Sequence, residues 1–176
     1  MESESLKRDP LIIMGSSRSC GNTWKVVSTL NRENRFPVID LNTLTLFPFD
    51  YEGKNRGDDY LALAKKMVTH RTLIWATPVY WYTMSAQMKM FLDRFSDLLF
   101  FERELGRELE GKRVFLLVSF EGKEHPATYH FDLPFRNTCA YLKMKYEGSF
   151  YYYSGKNAKQ QSANANLDSF YQTILQ

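Results

Sequence analysis

Short apolar runs alternate with segments of helical periodicity along the whole chain, and this alternation limits the possible folds more than any other feature of the sequence. Runs with the character of strands occur at residues 11–14, 38–41, 72–76, 113–119 and 147–153. A helix is predicted after each of them, at residues 23–34, 60–70, 85–100, 129–144 and 162–175. Parallel strands need crossover helices, which cover both faces of the sheet. The pattern therefore predicts an α/β fold with a doubly wound, five-stranded parallel sheet.

No internal repeat, linker or low-complexity tract divides the chain. Its 176 residues are an ordinary length for one domain. We therefore expect a single domain over residues 1–176, with the polar residues 1–10 as a flexible N-terminal extension. No apolar run reaches the roughly 18 residues that a membrane span needs, and the N-terminus lacks the apolar centre of a secretory signal. These features predict a cytoplasmic protein with no membrane partner.

Charge and cysteine content argue against two further classes of function. The formal net charge is +3, and the basic residues are dispersed among acidic ones, so no nucleic-acid partner is predicted. The two cysteines, Cys20 and Cys139, form neither a metal-ligand pattern nor a disulfide framework. We predict no metal site and a reducing compartment.

The loop after the first strand, residues 15–23 (GSSRSCGNT), has the composition of an anion site. It leads from a strand into a helix, where backbone N–H groups and the helix dipole attract negative charge. Hydroxyl groups of Ser16 and Thr23, the amide of Asn22 and the guanidinium of Arg18 would add donors, while Gly21 would let the backbone bend close to the ligand. The alternative is that the loop only caps the helix at Asn22.

The glycine spacing of this loop fits neither the dinucleotide fingerprint G-x-G-x-x-G nor a Walker A sequence, because no Gly-Lys-Ser/Thr follows. A monophosphate is therefore a better-supported ligand than a dinucleotide or a triphosphate.

The loop after the third strand, residues 77–85 (TPVYWYTMS), is rich in aromatic side chains. Tyr80, Trp81 and Tyr82 follow an apolar strand directly, and aromatic groups at that position could flank a planar ring. The alternative is that they pack on a neighbouring subunit, and both roles are compatible.

The loop after the fourth strand, residues 119–126, is a candidate part of the ligand site because of its position rather than its composition. Ligands of doubly wound sheets bind at the carboxyl ends of the strands, so backbone N–H groups here are candidates for the edge of such a ring. For Glu121 and His125 we consider an ordinary solvated role, rather than an acid or base role, as the better interpretation.

Two motifs in this order resemble the NAD(P)H-dependent FMN reductase family of the flavodoxin-like superfamily. They are GSSRxxGNT at residues 15–23 and TPVYW at residues 77–81, followed by Ser85, Ala86, Lys89 and the segment 91–94 (FLDR). The resemblance implies the strand order 2-1-3-4-5. It also implies that the first loop holds the phosphate of FMN and that the other two loops line its isoalloxazine ring. The residues implied are Ser16, Arg18, Gly21, Asn22 and Thr23 for the phosphate loop, and Pro78, Val79, Tyr80, Trp81, Ser119, Phe120, Glu121 and Gly122 for the ring.

The activity that the resemblance implies is FMN-dependent oxidation of NADPH or NADH, with hydride transfer through flavin N5 to a small acceptor such as a quinone, an azo or nitro compound, or a free flavin. No catalytic side chain is required, because the cofactor carries the chemistry. A homodimer or homotetramer is expected. Residues 47–55 contain no cysteine, so the iron–sulfur cluster of some relatives is not expected. Two alternatives remain: an electron carrier that docks on proteins without NAD(P)H turnover, and an FMN-free scaffold.

Overall fold

The fold is described from a computed structural model, which describes residues 9–156 and 162–176. Five parallel strands form one sheet in the order β2-β1-β3-β4-β5, which confirms the predicted fold class and strand order. The strands are β1 (Leu11–Met14), β2 (Val38–Asp40), β3 (Thr72–Pro78), β4 (Arg113–Phe120) and β5 (Lys145–Tyr153).

Seven α-helices, counted in the described residues, cover the two faces of the sheet. They are α1 (Asn22–Leu30), α2 (Tyr60–Val68), α3 (Ala86–Asp93), α4 (Phe95–Phe100), α5 (Arg103–Arg107), α6 (Leu133–Tyr141) and α7 (Leu167–Leu175). Short 3-10 turns lie at Arg32–Asn34, Leu41–Thr43, Pro126–Tyr129 and Ser162–Asn166. None of the described helices is both long enough and apolar enough to span a membrane.

Alternate side chains of the central strands point to opposite faces, and this divides the core in two. Leu73 and Trp75 of β3 pack with residues of α2, α3, α4 and α6. Ile74 and Ala76 of the same strand pack on the other face, against α1 and α7. β3 is buried along its whole length, as expected of a central parallel strand.

The helix predicted at residues 85–100 is interrupted at Arg94, which is the main difference from the sequence-based prediction. The Arg94 side chain is only 1% exposed. It donates to the Asp97 carboxylate at 2.6 Å and to the carbonyl of Phe47 at 2.8 Å, and it pairs with Asp58. After this turn the side chain of Leu98 is buried in the core, whereas that of Leu99 is exposed.

The ion pair helps to lower the pKa of Asp58, and Arg94 also holds the loop before α2 by donating to its carbonyl groups. Burial alone would raise the pKa of Asp58, but hydrogen bonds from Arg94 and from the backbone N–H groups of Phe47 and Tyr60 outweigh it, so the pKa lies below its usual value. The guanidinium of Arg94 also lies 4.8 Å from the centre of the Tyr60 ring.

Helix α6 begins at Leu133 rather than at Tyr129. Pro134 lies in its first turn, where a missing N–H is tolerated, so this proline starts the helix instead of interrupting it. The preceding turn ends at His130, which is left-handed with φ 53°. Helix α5 was not predicted.

Residues 1–8 of the predicted N-terminal extension lie outside the described residues. Its last two residues contact the fold: Pro10 is buried, and the carbonyl of Asp9 lies 2.8 Å from Nδ1 of His70. The assignment of residues 1–176 to a single domain stays a prediction.

Candidate functional site

Three loops meet at the carboxyl ends of β1, β3 and β4 and enclose a cavity of about 140 Å³. All the predicted site residues except Trp81 and Gly122 line it. The lining residues are Ser16, Arg18, Gly21, Asn22, Thr23, Pro78, Val79, Tyr80, Ser119, Phe120, Glu121 and Ser154. Ser154 was not predicted, although its place directly after β5 was a signal that could have found it.

The loop of residues 15–23 is held against the start of α3 by close backbone packing. A Cβ atom on Gly15 would lie 2.9 Å from both Cβ and N of Met88, which leaves no room for a side chain. Ser85, the N-cap of α3, donates its hydroxyl to the carbonyl of Gly15 at 2.7 Å and accepts from the N–H of Met88 at 3.1 Å. The first and second loops are therefore joined where they leave the sheet.

Helix α1 begins at the cavity without a side-chain cap. Its N-cap is Gly21, and Asn22 is already the first helical residue, so the alternative in which Asn22 caps the helix is wrong. The φ of Gly21 is −88°, which other residues also adopt, so the expected special backbone bend is absent. A Cβ atom there would make ordinary van der Waals contacts with Arg18, 3.4 Å from its Cβ and 3.5 Å from its Nε.

The polar side chains of this cavity form contacts between the loops. The hydroxyls of Thr23 and Ser119 lie 2.9 Å apart, and those of Ser17 and Tyr80 lie 2.8 Å apart. The Asn22 amide donates to the Glu121 carboxylate at 2.5 Å. Each contact joins the first loop to another strand end, so the donors predicted for a phosphate do lie together.

Tyr80 to Thr83 form a tight two-residue turn at the tip of the second loop. The N–H of Tyr80 donates to the carbonyl of Thr83 at 2.8 Å, and the N–H of Thr83 donates back at 3.0 Å. Trp81 and Tyr82, between them, both have positive φ, at 48° and 65°. This matches a type I′ turn, which favours Asn and Gly at these positions. The turn leaves the Trp81 side chain 93% exposed.

A second cavity of about 440 Å³ adjoins the first. It shares Val79, Phe120 and Glu121 with the first cavity, and it is lined by both of the predicted residues that the first one lacks, Trp81 and Gly122. Tyr82, Lys123, Glu124 and Tyr129 complete the lining and were not predicted as site residues. The rings of Tyr82 and Tyr129 meet edge to face with centroids 5.4 Å apart. No local signal marks Tyr129, since only the fold brings it to Tyr82.

Titratable groups near the second cavity are shifted towards their neutral forms. Burial raises the pKa of Tyr129, and the nearby Tyr82 and Glu124 raise it further. Burial lowers the pKa of His125. The His125 ring packs on Phe120 and Tyr151 and accepts a hydrogen bond from the N–H of Ala127 at 3.2 Å. His125 is not among the residues that line the second cavity. Within residues 9–156 and 162–176, no group of three or more His, Cys, Asp or Glu residues could hold a metal ion.

Comparison with known proteins places the chain in a family. The family model for NADPH-dependent FMN reductase matches residues 10–159. YwqN of Bacillus subtilis (strain 168), named as an NAD(P)H-dependent FMN-containing oxidoreductase, is 31% identical over 96 residues. That match covers 50% of this chain and 52% of YwqN, so the chain matches about half the length of this curated relative.

Two solved structures share the fold. The Trp repressor binding protein from Bacillus subtilis is 19% identical, with a TM-score of 0.72, and the match covers 94% of this chain and 96% of that one. General stress protein 14 of Treponema denticola, in complex with FMN, is 21% identical, with a TM-score of 0.66 and coverage of 96% and 99%. The fold is therefore flavodoxin-like, and the chain belongs to the NADPH-dependent FMN reductase family.

Proposed function

We propose that the chain binds FMN across the two cavities and uses it to pass reducing equivalents from NAD(P)H to a small acceptor. The observation that carries this proposal is the meeting of the loop of residues 15–23 with the ends of β3 and β4 around one cavity. Family membership supports it, as do the name of YwqN, which refers to FMN, and the structure of the Treponema denticola protein, which is a complex with FMN.

The residues present fit the phosphate end of FMN. Ser16, Asn22 and Thr23 offer neutral donors, and Arg18 offers a charged one, all on the lining of the first cavity. The uncapped backbone N–H groups at the start of α1 add further donors. We assign these residues to the phosphate, together with Gly21, which lines the cavity as the N-cap of α1.

The ring system would extend into the second cavity, because about 140 Å³ is small for a whole cofactor whereas sites of a few hundred Å³ are usual. Pro78, Val79 and Tyr80 would lie along one side of the ring, with Trp81 at its exposed end. The segment 119–122 would lie at its other edge, where backbone N–H groups can donate to ring carbonyls.

When bound, FMN would supply the redox chemistry, with its N5 as the hydride acceptor for NAD(P)H and the reduced ring as the electron source for the small acceptor. The protein would bind and orient the cofactor and the acceptor, and it would exclude water from them. Tyr82 and Tyr129 form an aromatic wall of the second cavity, against which a flat acceptor would lie, with Trp81 at the mouth. Quinones, azo or nitro compounds and free flavins all have this shape. We assign no side chain as a general acid or base.

The first test is the absorbance spectrum of the purified protein, with and without added FMN. A bound flavin spectrum is expected, and its absence after incubation with FMN would refute the cofactor assignment.

The second test is steady-state oxidation of NADPH, and separately of NADH, in the presence of a quinone. Bound flavin without steady-state turnover would favour the electron carrier over the reductase.

We also propose a homodimer or homotetramer, as the resemblance implies. Light scattering coupled to size-exclusion chromatography tests this, and a monomer at micromolar concentration would refute it. Tyr82 and Tyr51 are large aromatic side chains that are more than half exposed, and they are candidates for burial in such an assembly.

A further inference from the structure

A carboxylate lies inside the site that is proposed to receive a phosphate. Glu121 lines both cavities, and its carboxylate accepts a hydrogen bond from the Asn22 amide at 2.5 Å. In the described part of the chain Glu121 forms no salt bridge, so no cation neutralises it directly. The bond joins residues that are 99 positions apart, across the gap between the first and third loops.

The formal charges around the first cavity cancel. Arg18 and Glu121 are the only formally charged residues on its described lining. The ammonium group of Lys25 lies outside this lining, 3.4 Å from the Asn22 side-chain oxygen. A phosphate monoester brings a charge of about −1.5 to −2 at neutral pH. Glu121 therefore repels the negative charge that the loop of residues 15–23 is suited to attract, and it holds one of the donors that the phosphate needs.

We propose that Glu121 competes with the flavin phosphate for the Asn22 amide and so weakens the binding of FMN, but not that of a flavin without a phosphate. The inference rests on the proposed FMN site. In this structure the carboxylate of Glu121 accepts from the Asn22 amide that the phosphate would use. When FMN enters, the carboxylate must release Asn22 and swing towards the second cavity, which it already lines. FMN would then exchange with solution instead of staying permanently bound.

The size of the effect follows from Coulomb's law. A carboxylate on the order of 6 Å from a phosphate dianion, in a site open to water, lowers the affinity about tenfold. The repulsion acts between solvated charges, so added salt weakens it. The affinity for a flavin without a phosphate should not depend on this repulsion.

The test uses Glu121→Gln, which keeps the size of the side chain and an oxygen that can accept from Asn22 but removes the charge. Glu110→Gln is the matched control, because Glu110 is exposed and pairs with Lys143 before the start of β4, at the opposite end of the sheet. Flavin fluorescence titrations measure the Kd of FMN and of riboflavin for all three proteins, at about 0.02 M and about 0.5 M salt.

We expect Glu121→Gln to bind FMN about tenfold more tightly than the wild type at low salt, with a smaller ratio at high salt. Riboflavin should bind both proteins within about twofold of each other, and Glu110→Gln should match the wild type with either flavin. The dissociation rate of FMN should fall in Glu121→Gln.

Three results would overturn the inference: unchanged or weaker FMN binding by Glu121→Gln, equal tightening for both flavins, or a gain that is insensitive to salt. Unchanged FMN binding would show that Glu121 does not affect the affinity, and weaker binding would show that it is a ligand of FMN. Equal tightening for both flavins, or a gain that is insensitive to salt, would show that Glu121 acts on the ring or on packing. If neither the wild type nor Glu121→Gln binds FMN, the proposed function itself fails, which is a distinct outcome.

Discussion

Replacing Trp81 by asparagine should make the protein more stable and less active. Trp81 has φ 48° in a tight turn, a conformation in which a bulky L-residue is strained. Asparagine tolerates this region and is preferred at the first central position of a type I′ turn. Strain of this kind, kept in a loop that lines a cavity, suggests that the indole serves the site rather than the fold.

The expected gain can be worked out from the exposure of the side chain. Relief of the left-handed strain contributes about 1 kcal/mol to the free energy of unfolding. Because Trp81 is 93% exposed, little buried area is lost. At 25 cal/mol per Å² that loss is about 0.4 kcal/mol. The net gain of about 0.6 kcal/mol corresponds to a rise in Tm of roughly 1–2 °C for a protein of this size.

The assay is thermal unfolding of the ligand-free protein, together with quinone-dependent oxidation of NADPH. Loss of one aromatic stacking contact with the acceptor should lower kcat/KM about fivefold. Tyr51→Asn is the control, because Tyr51 is 79% exposed but is not among the residues with positive φ. Its Tm should not rise. A fall in the Tm of Trp81→Asn by more than about 1 °C would show that the indole is buried in solution, as a subunit contact requires.

Four further predictions concern the phosphate loop, the buried ion pair, the acid titration of Asp58 and the cysteines. Arg18→Ala combined with Asn22→Ala should weaken FMN binding at least tenfold in a titration while leaving Tm within a few degrees, because both side chains lie at the cavity; unchanged retention of flavin would reject the phosphate assignment. Arg94→Met should lower the free energy of unfolding by about 3–5 kcal/mol in urea, since it leaves two buried carboxylates without their cation. In the wild type, the pKa of Asp58 is lowered on folding, so its contribution to stability is present above its unfolded pKa and lost as the pH falls below about 4; the acid limb should be shallower in Asp58→Asn. A thiol reagent at pH 8 should label Cys20, which is exposed, and should reach Cys139 only after unfolding, because burial raises the pKa of Cys139 to about 12.

The strand–helix alternation could be predicted because it depends on short stretches of chain. The predicted strand at residues 113–119 appears as Arg113–Phe120, and the predicted strand at residues 11–14 keeps its bounds. Helix ends were harder to predict. The break at Arg94 depends on its pairing with Asp58, 36 positions away, and periodicity within the helix carries no information about that partner.

The candidate site followed from topology as much as from composition. Once the sheet is parallel and doubly wound, the loops after β1, β3 and β4 must lie at one edge, so residues 63 to 99 positions apart become neighbours there. The strand order was implied by the family resemblance, and this order explains why the phosphate-loop motif and the aromatic motif could be assigned to one site before the structure was known. The same reasoning could have included Ser154, which directly follows β5, but it could not reach Tyr129, because no local pattern marks that residue.

The sequence by itself determined the layers of this protein, the loops that carry its polar and aromatic groups, and the family that those motifs resemble. Only the tertiary structure decided that Trp81 and Tyr82 have positive φ and that Glu121 holds Asn22 across the proposed phosphate site. The reason is physical. Propensity and periodicity depend on nearby residues, whereas a side-chain contact depends on the distance between two loops, which is known only after the whole sheet has formed.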